Sequence, residues 1–229
     1  MLTMFRILFA LLLCVLPVCA AAQSSGHILV MPFENVRRDA RLHWIGEAAA
    51  LLLADDLKTR GLAAITRAER IRAFDQLHLP TAATLSRATV IKVGEFVGAS
   101  EIIVGSVAVD GTALIVEAHS IRIDVGRLQA NVTERGALID MIAIFERIAG
   151  RLAPDVTVTV ERSARPPLEA FENYVKGLMA ESPAARAAFL EAAIARNPGY
   201  DRALLTLWGV RGDQGDHAAA LEAARAVAG

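Results

Sequence analysis

The chain has 229 residues, of which 54% are hydrophobic and 21% are charged, and its formal net charge is −1. This length suits one or two globular domains. The near-neutral charge argues against nucleic acid as a partner, because proteins that bind phosphate backbones usually carry a basic excess.

Residues 1–22 have the parts of a secretory signal peptide. A short positive end precedes an almost wholly apolar run at residues 7–16, and small residues follow it. Ala20 and Ala22 stand at the −3 and −1 positions for cleavage before Gln23. The alternative is a single-pass anchor, which the run disfavours because a spanning helix needs about 20 apolar residues. The sequence therefore predicts an exported, periplasmic protein.

Both cysteines, Cys14 and Cys19, lie inside this signal segment. After cleavage the chain would have no disulfide and no thiolate metal site. A lipoprotein signal needs a small residue before the lipidated cysteine, whereas Val18 precedes Cys19 and Leu13 precedes Cys14. Lipid attachment is therefore not expected.

Residues 27–160 are predicted to form an α/β domain, with a mixed sheet flanked by helices in the order β-α-β-α-α-β-β-β-α. The apolar run that starts at His27 is short and ends at a proline, which favours a buried strand. A helical period then covers residues 42–60, and residues 62–66 complete a βαβ unit with parallel strands. The remaining predicted elements are two helices, three strands and a closing helix: Ala68–Leu77, Leu85–Val97, Glu101–Val109, Thr112–Ile123, Arg127–Thr133 and residues 137–152.

Four fragments of this region resemble the TolB-type amino-terminal domain of bacterial envelope proteins. In chain order they are residues 30–35 (Val-Met-Pro-Phe-Glu-Asn), residues 44–47 (Trp-Ile-Gly-Glu), residues 62–67 and residues 94–107. The resemblance covers about residues 27–135 and implies a role in the cell envelope. The family's motifs are mostly architectural, so the resemblance implies no active site.

Residues 168–228 follow a proline-containing linker and form an alanine-rich helical unit. Its helices are predicted at residues 168–180, 185–196, 201–210 and 217–228. The placement of Ala193 and Pro198 resembles tetratricopeptide (TPR) repeats, which are helix pairs that recur about every 34 residues. Trp208 departs from that pattern, because the family has a small residue there. An alanine-rich hairpin without repeat ancestry is the alternative.

About two such repeats are present, whereas a solenoid needs about three to bury a continuous core. The helical unit is therefore expected to pack on the first domain, to pair with another chain (a homo-oligomer where that chain is a second copy), or to belong to a longer array. Grooves between repeat helices can hold an extended peptide or a partner helix. The candidate partner-binding residues are Tyr174, Asn197, Tyr200, Arg202 and Trp208.

A second surface site is considered in the α/β domain, at Asn35, Trp44 and Glu47. Strand ends beside helix starts often bind ligands in α/β folds. The alternative is that Trp44 simply packs its helix onto the sheet.

Arg67, Arg70 and Arg72 form a basic cluster at the start of the second predicted helix. An anionic partner could bind there. The alternative, which we favour, is a solvated face that is balanced by Glu69 and Asp75.

No catalytic or cofactor-binding motif stands in the sequence. Phosphate-binding loops, dinucleotide fingerprints, nucleophile turns and zinc-protease motifs are all missing, and the five histidines have no metal-ligand spacing. Asp55 and Asp56 are adjacent on a helix and point about 100° apart, which favours a solvated flank over an acid–base pair. We therefore expect no enzyme activity, no cofactor, no metal site and no small-molecule substrate.

Together these patterns predict a non-catalytic periplasmic interaction or scaffold protein of the bacterial cell envelope, whose partners are other proteins. The alternative is an outer-membrane-associated secretion or flagellar accessory component, like the curli-secretion relatives of the TolB-type domain. Recovery in osmotic-shock fluid or in the outer-membrane pellet would distinguish the two.

Overall fold

The computed structural model describes residues 26–81, 84–123, 127–154 and 165–228. The predicted fold class is confirmed: a mixed α/β sheet flanked by helices precedes a helical carboxyl-terminal region. The elements of the α/β part are β1 (His27–Val30), β2 (Glu34–Asn35), α1 (Trp44–Thr59), α2 (Arg67–Gln76), α3 (Arg87–Phe96), β3 (Ala99–Asp110), β4 (Ala113–Arg122), β5 (Arg127–Ala137) and α4 (Met141–Leu152). The helices that follow are α5 (Leu168–Met179), α6 (Pro183–Arg196), α7 (Asp201–Asp213) and α8 (His217–Ala228).

The sheet has the strand order β1-β3-β4-β5, with the short β2 also paired to β3. Strands β1 and β2 run parallel to β3, whereas β3, β4 and β5 form an antiparallel meander. Gly111 has a φ of 61° and so permits the tight turn between β3 and β4. The second turn, predicted at residues 124–126, lies outside the described residues.

The strand predicted at residues 62–66 is reduced to one parallel bridge, between Ile28 and Ala64. The parallel direction agrees with the predicted βαβ unit, and the Ile65 amide donates to the Ile28 carbonyl at 2.8 Å. Thr66 is already the N-cap of α2, where it forms a capping box with Glu69. Too few residues therefore remain to build a longer ladder.

The sheet is covered on both faces. Helices α1 and α4 pack on one face, where Phe33 and Phe145 meet edge to face with ring centroids 6.0 Å apart. Helices α2 and α3 cover the other face around Phe74 and Ile102. Both faces are apolar, as a sheet between two helical layers requires.

The carboxyl-terminal helices pack in succession, α5 on α6, α6 on α7 and α7 on α8, and α5 also packs against α1. One hydrophobic cluster therefore runs from the sheet through α1 and α5 into this region. Ala193 and Ala220 are buried between helices, as the predicted pattern of close crossings requires. The repeat ancestry stays a prediction, and the predicted domain boundary falls largely on residues 155–164, outside the described ranges.

Within the parts of the chain that the structure describes, no helix has both the length and the apolar character needed to cross a membrane. The signal peptide predicted at residues 1–22 lies outside those parts.

Candidate functional site

A cleft of about 330 Å³ opens between α1 and α7, with the start of α2 and part of α5 completing its wall. We call it the α1–α7 cleft. Arg202 of α7 pairs with Asp55 of α1 across it. The Arg202 guanidinium donates a hydrogen bond to the Asp55 carboxylate, and this bond is the main reason why the pKa of Arg202 is raised. Arg202, a predicted partner-binding residue, thus lines the cleft and also ties its two walls together.

A largely buried charge cluster forms part of the wall of the cleft. Oxygen Oε1 of Glu47 accepts hydrogen bonds from Arg67 Nε at 2.6 Å and from Arg70 Nη2 at 2.5 Å. Arg70 also donates to the Val30 carbonyl at 2.9 Å, and its side chain is only 4% exposed. Arg67 donates to the Leu178 carbonyl at 2.8 Å. The cluster therefore links α1, α2 and β1 of the α/β part to the end of α5.

This geometry corrects two expectations. Arg67 and Arg70 do not form a solvated basic face, because both pair with Glu47. Glu47, considered as part of a surface site, is buried. Burial lowers the pKa of Arg70, an effect that Glu47 opposes. Isolated buried charges are costly, so Arg70 and Glu47 can be buried only together. Arg67, which is 25% exposed, shares the same carboxylate. Sequence reasoning missed the pairing because Glu47 lies 20 and 23 residues before its partners.

Tyr174 and Tyr200, predicted as groove residues, form a buried pair with ring centroids 5.2 Å apart. Burial raises the pKa of both phenols. Tyr174 still contributes to the wall of the α1–α7 cleft, whereas Tyr200 belongs to the core. Asn197 is the C-cap of α6, where its backbone N–H donates to the Ala193 carbonyl at 3.0 Å. Tyr200 and Asn197 thus shape the α6–α7 turn.

Trp208 is 50% exposed and Leu205, one turn earlier on α7, is 49% exposed. A Cβ added at Gly209 or Gly212 would find no atom within 4 Å. These four positions share one side of the helix, at the spacing i, i+3, i+4 and i+7. We call them the α7 apolar face. Leu205 also lines the α1–α7 cleft, so the face and the cleft are continuous. Of these four residues the sequence analysis named only Trp208, although the helical spacing also places Leu205, Gly209 and Gly212 on the same side.

A second cavity, of about 560 Å³, lies beside β2 and the start of α1. Asn35 and Glu47, two of the three residues considered for the α/β-domain site, both line this cavity. Asn35 is held by a hydrogen bond from its Nδ2 to the Asp39 carbonyl at 2.9 Å. Trp44 is 1% exposed and belongs to the core, so it is not a surface residue. It packs α1 onto the sheet, which was the alternative considered from the sequence.

No three His, Cys, Asp or Glu residues in the described ranges are grouped so that they could hold a metal ion. Asp55 pairs with Arg202, whereas burial raises the pKa of the adjacent Asp56 to about 6. The two carboxylates thus lie in different surroundings.

No protein family and no curated protein sequence matches this chain. Among solved structures, lipoprotein GNA1162 from Neisseria meningitidis has a TM-score of 0.42 and 18% identity, over 58% of this chain and 99% of that chain. The LpoB C-terminal domain from Salmonella enterica has a TM-score of 0.40 and 16% identity, over 49% and 83%. TolB from Acinetobacter baumannii has a TM-score of 0.38 and 12% identity, over 56% and 27%. The chain is thus similar to these bacterial proteins in part of its fold, and no residue role transfers from them.

Proposed function

We propose that this protein is a non-catalytic component of the bacterial cell envelope that works in the periplasm by binding another protein. The observation that carries the proposal is the α7 apolar face, where Leu205 and Trp208 are half exposed beside the α1–α7 cleft. The signal-peptide pattern of residues 1–22 supports the periplasmic location.

Trp208 supplies the anchor of the proposed contact. Tryptophan is enriched among the residues that dominate binding energies at protein interfaces. A tryptophan buries about 150–250 Å², so covering its exposed half removes about 100 Å² from water. At about 25 cal/mol per Å² this contributes about 2.5 kcal/mol to binding. Gly209 and Gly212 leave room for the partner's backbone to approach α7 closely.

The experiment compares two aromatic truncations in the mature chain, residues 23–229. Trp208→Ala removes the anchor, whereas Phe96→Ala removes an equally exposed aromatic side chain at the end of α3. Immobilised variants are exposed to cell-envelope extract, and captured proteins are quantified by mass spectrometry. We expect Trp208→Ala to lower the capture of a specific partner at least about tenfold, with its Tm within a few degrees of wild type, and Phe96→Ala to retain it.

Equal capture by the two variants would refute the assigned surface. A large fall in the Tm of Trp208→Ala would show that the indole stabilises the fold instead. Osmotic-shock fractionation tests the location, since recovery in the outer-membrane pellet would favour the secretion or flagellar accessory role. Turnover of a metabolite that one side-chain substitution abolishes would overturn the non-catalytic assignment.

A further inference from the structure

The α1–α7 cleft carries a surplus of positive charge. Among the described residues, one carboxylate lines it, from Asp55, and Arg202 already engages that group. The cationic side chains in its lining are Lys58, Arg67, Arg70 and Arg202. The cleft is therefore electrostatically suited to an anionic group.

Nearby carboxylates compensate only part of this charge. A single oxygen of Glu47 serves both Arg67 and Arg70, so two guanidinium groups share one counter-ion. Glu69 lies near Lys58, but its carboxylate accepts hydrogen bonds from Thr66 in the capping box of α2. Even with both glutamates counted, the four cations face three carboxylates. In addition, Arg70 Nε is buried and has no hydrogen-bond partner among the described residues.

Other side chains in the lining of the cleft are apolar. Leu51 and Ala54 contribute from α1, and Leu205 contributes from α7. Because Leu205 belongs to the α7 apolar face, a chain that lies along that face can continue into the cleft. The lining of the cleft thus combines cationic and apolar side chains.

We propose that the α1–α7 cleft binds the free carboxyl terminus of a partner polypeptide whose last residue is apolar. The terminal carboxylate lies at the cationic lining that includes Lys58, and the last side chain packs against Leu51 and Leu205. The inference rests on the proposed function, because the partner's preceding residues lie along the α7 apolar face.

Size and charge favour a chain end over other parts of a protein. The volume of about 330 Å³ is at the small end of ligand pockets. A helix with its side chains is about 10 Å wide and does not fit such a space. A terminal carboxylate brings one full negative charge and an apolar side chain within a single residue. Hydrogen bonds between such a carboxylate and Lys or Arg are about twice as strong as neutral ones.

The test measures fluorescence anisotropy of a labelled probe peptide, Gly-Ser-Gly-Ser-Ala-Leu-Leu, with a free carboxylate or a carboxyl-terminal amide. The protein is the mature chain at about 20 mM salt, where exposed charges are weakly screened. We expect the carboxylate form to bind at least about tenfold more tightly than the amide. Lys58→Gln should weaken the carboxylate form about two- to fivefold and leave the amide unchanged. Lys92→Gln, at an exposed position on α3, is the matched control and should change neither.

Equal affinities for carboxylate and amide would overturn the inference, as would no binding of either form at about 1 mM peptide. An equal effect of Lys92→Gln would also overturn it, because the response would then reflect net charge. Displacement of the peptide by octanoate at equal concentration would assign the cleft to fatty acids instead. Partner capture that depends on Trp208, without a carboxylate preference, would overturn this inference alone. A carboxylate preference without Trp208-dependent capture would overturn the proposed function alone.

Discussion

Glu47→Gln removes the carboxylate that Arg67 and Arg70 share while keeping the size of the side chain. Arg70 is 4% exposed and cannot regain water without local opening of the fold. Removing one partner of a buried ion pair costs about 3–5 kcal/mol, because the other charge is left uncompensated. For a chain of this length, 1 kcal/mol shifts Tm by about 2–4 °C. We therefore expect urea unfolding at pH 7, followed by circular dichroism, to show a free energy of unfolding lower by about 3–5 kcal/mol. A thermal melt should show a Tm lower by about 6–20 °C.

Glu134→Gln is the matched control, since Glu134 is equally buried and also pairs with two arginines. Its partners Arg147 and Arg151 are 48% and 58% exposed and can be rehydrated when the carboxylate is removed. Exposed pairs contribute about 0–1 kcal/mol, so the loss should be about 1 kcal/mol. Similar losses for the two variants would refute the argument that burial of the arginine sets the cost.

Two further predictions concern stability. The pKa of Asp56 is raised from 3.8 to about 6, so its charged form opposes folding above about pH 6 and this penalty disappears as the pH falls toward 4. Asp56→Asn should therefore raise the free energy of unfolding by about 1–3 kcal/mol at pH 8 and by almost nothing at pH 4, and a pH-independent gain in urea unfolding would contradict this. Gly105→Ala should cost about 2–4 kcal/mol, since its Cβ would lie 2.3 Å from the Glu117 carbonyl oxygen and from the Phe33 ring. Gly209→Ala, on an open helix surface, should instead add about 0.5–1 kcal/mol, and the same sign for both alanines would refute the packing argument.

The fold was predictable where a local pattern decides it. The alternating burial of Leu114, Val116 and Ala118 follows directly from period-two hydrophobicity in β4. Helices α2 and α3 begin one or two residues from their predicted starts at Ala68 and Leu85, because the caps Thr66 and Ser86 fix their first turns. The strand at residues 62–66 was overestimated, because propensity does not reveal that the capping box of the next helix already uses its last residue.

The candidate site was less predictable because it depends on contacts between distant parts of the chain. Helical periodicity assigns a charged residue such as Glu47 to the solvent side, and nothing local indicates that Arg67 and Arg70 will neutralise it. Tyr174, predicted as a groove residue, belongs to the core and also lines the cleft. Which of these an aromatic side chain does is decided by the helix that packs against it, which lies elsewhere in the sequence. Trp208 departs from the predicted repeat pattern, and its side chain is half exposed.

The cluster around Glu47 also explains why a cationic cleft can exist in a nearly neutral protein. Arg67 and Arg70 hold α1, α2 and α5 together through Glu47, Val30 and Leu178, so their positions are fixed by the fold. A fold optimised for stability alone would match each buried arginine with its own carboxylate or replace the cluster by apolar residues. Sharing one carboxylate leaves positive charge at the wall of the cleft, and natural proteins depart from such local rules mainly at functional sites. Preorganised charge of this kind adds to affinity because a ligand need not order the side chains that bind it.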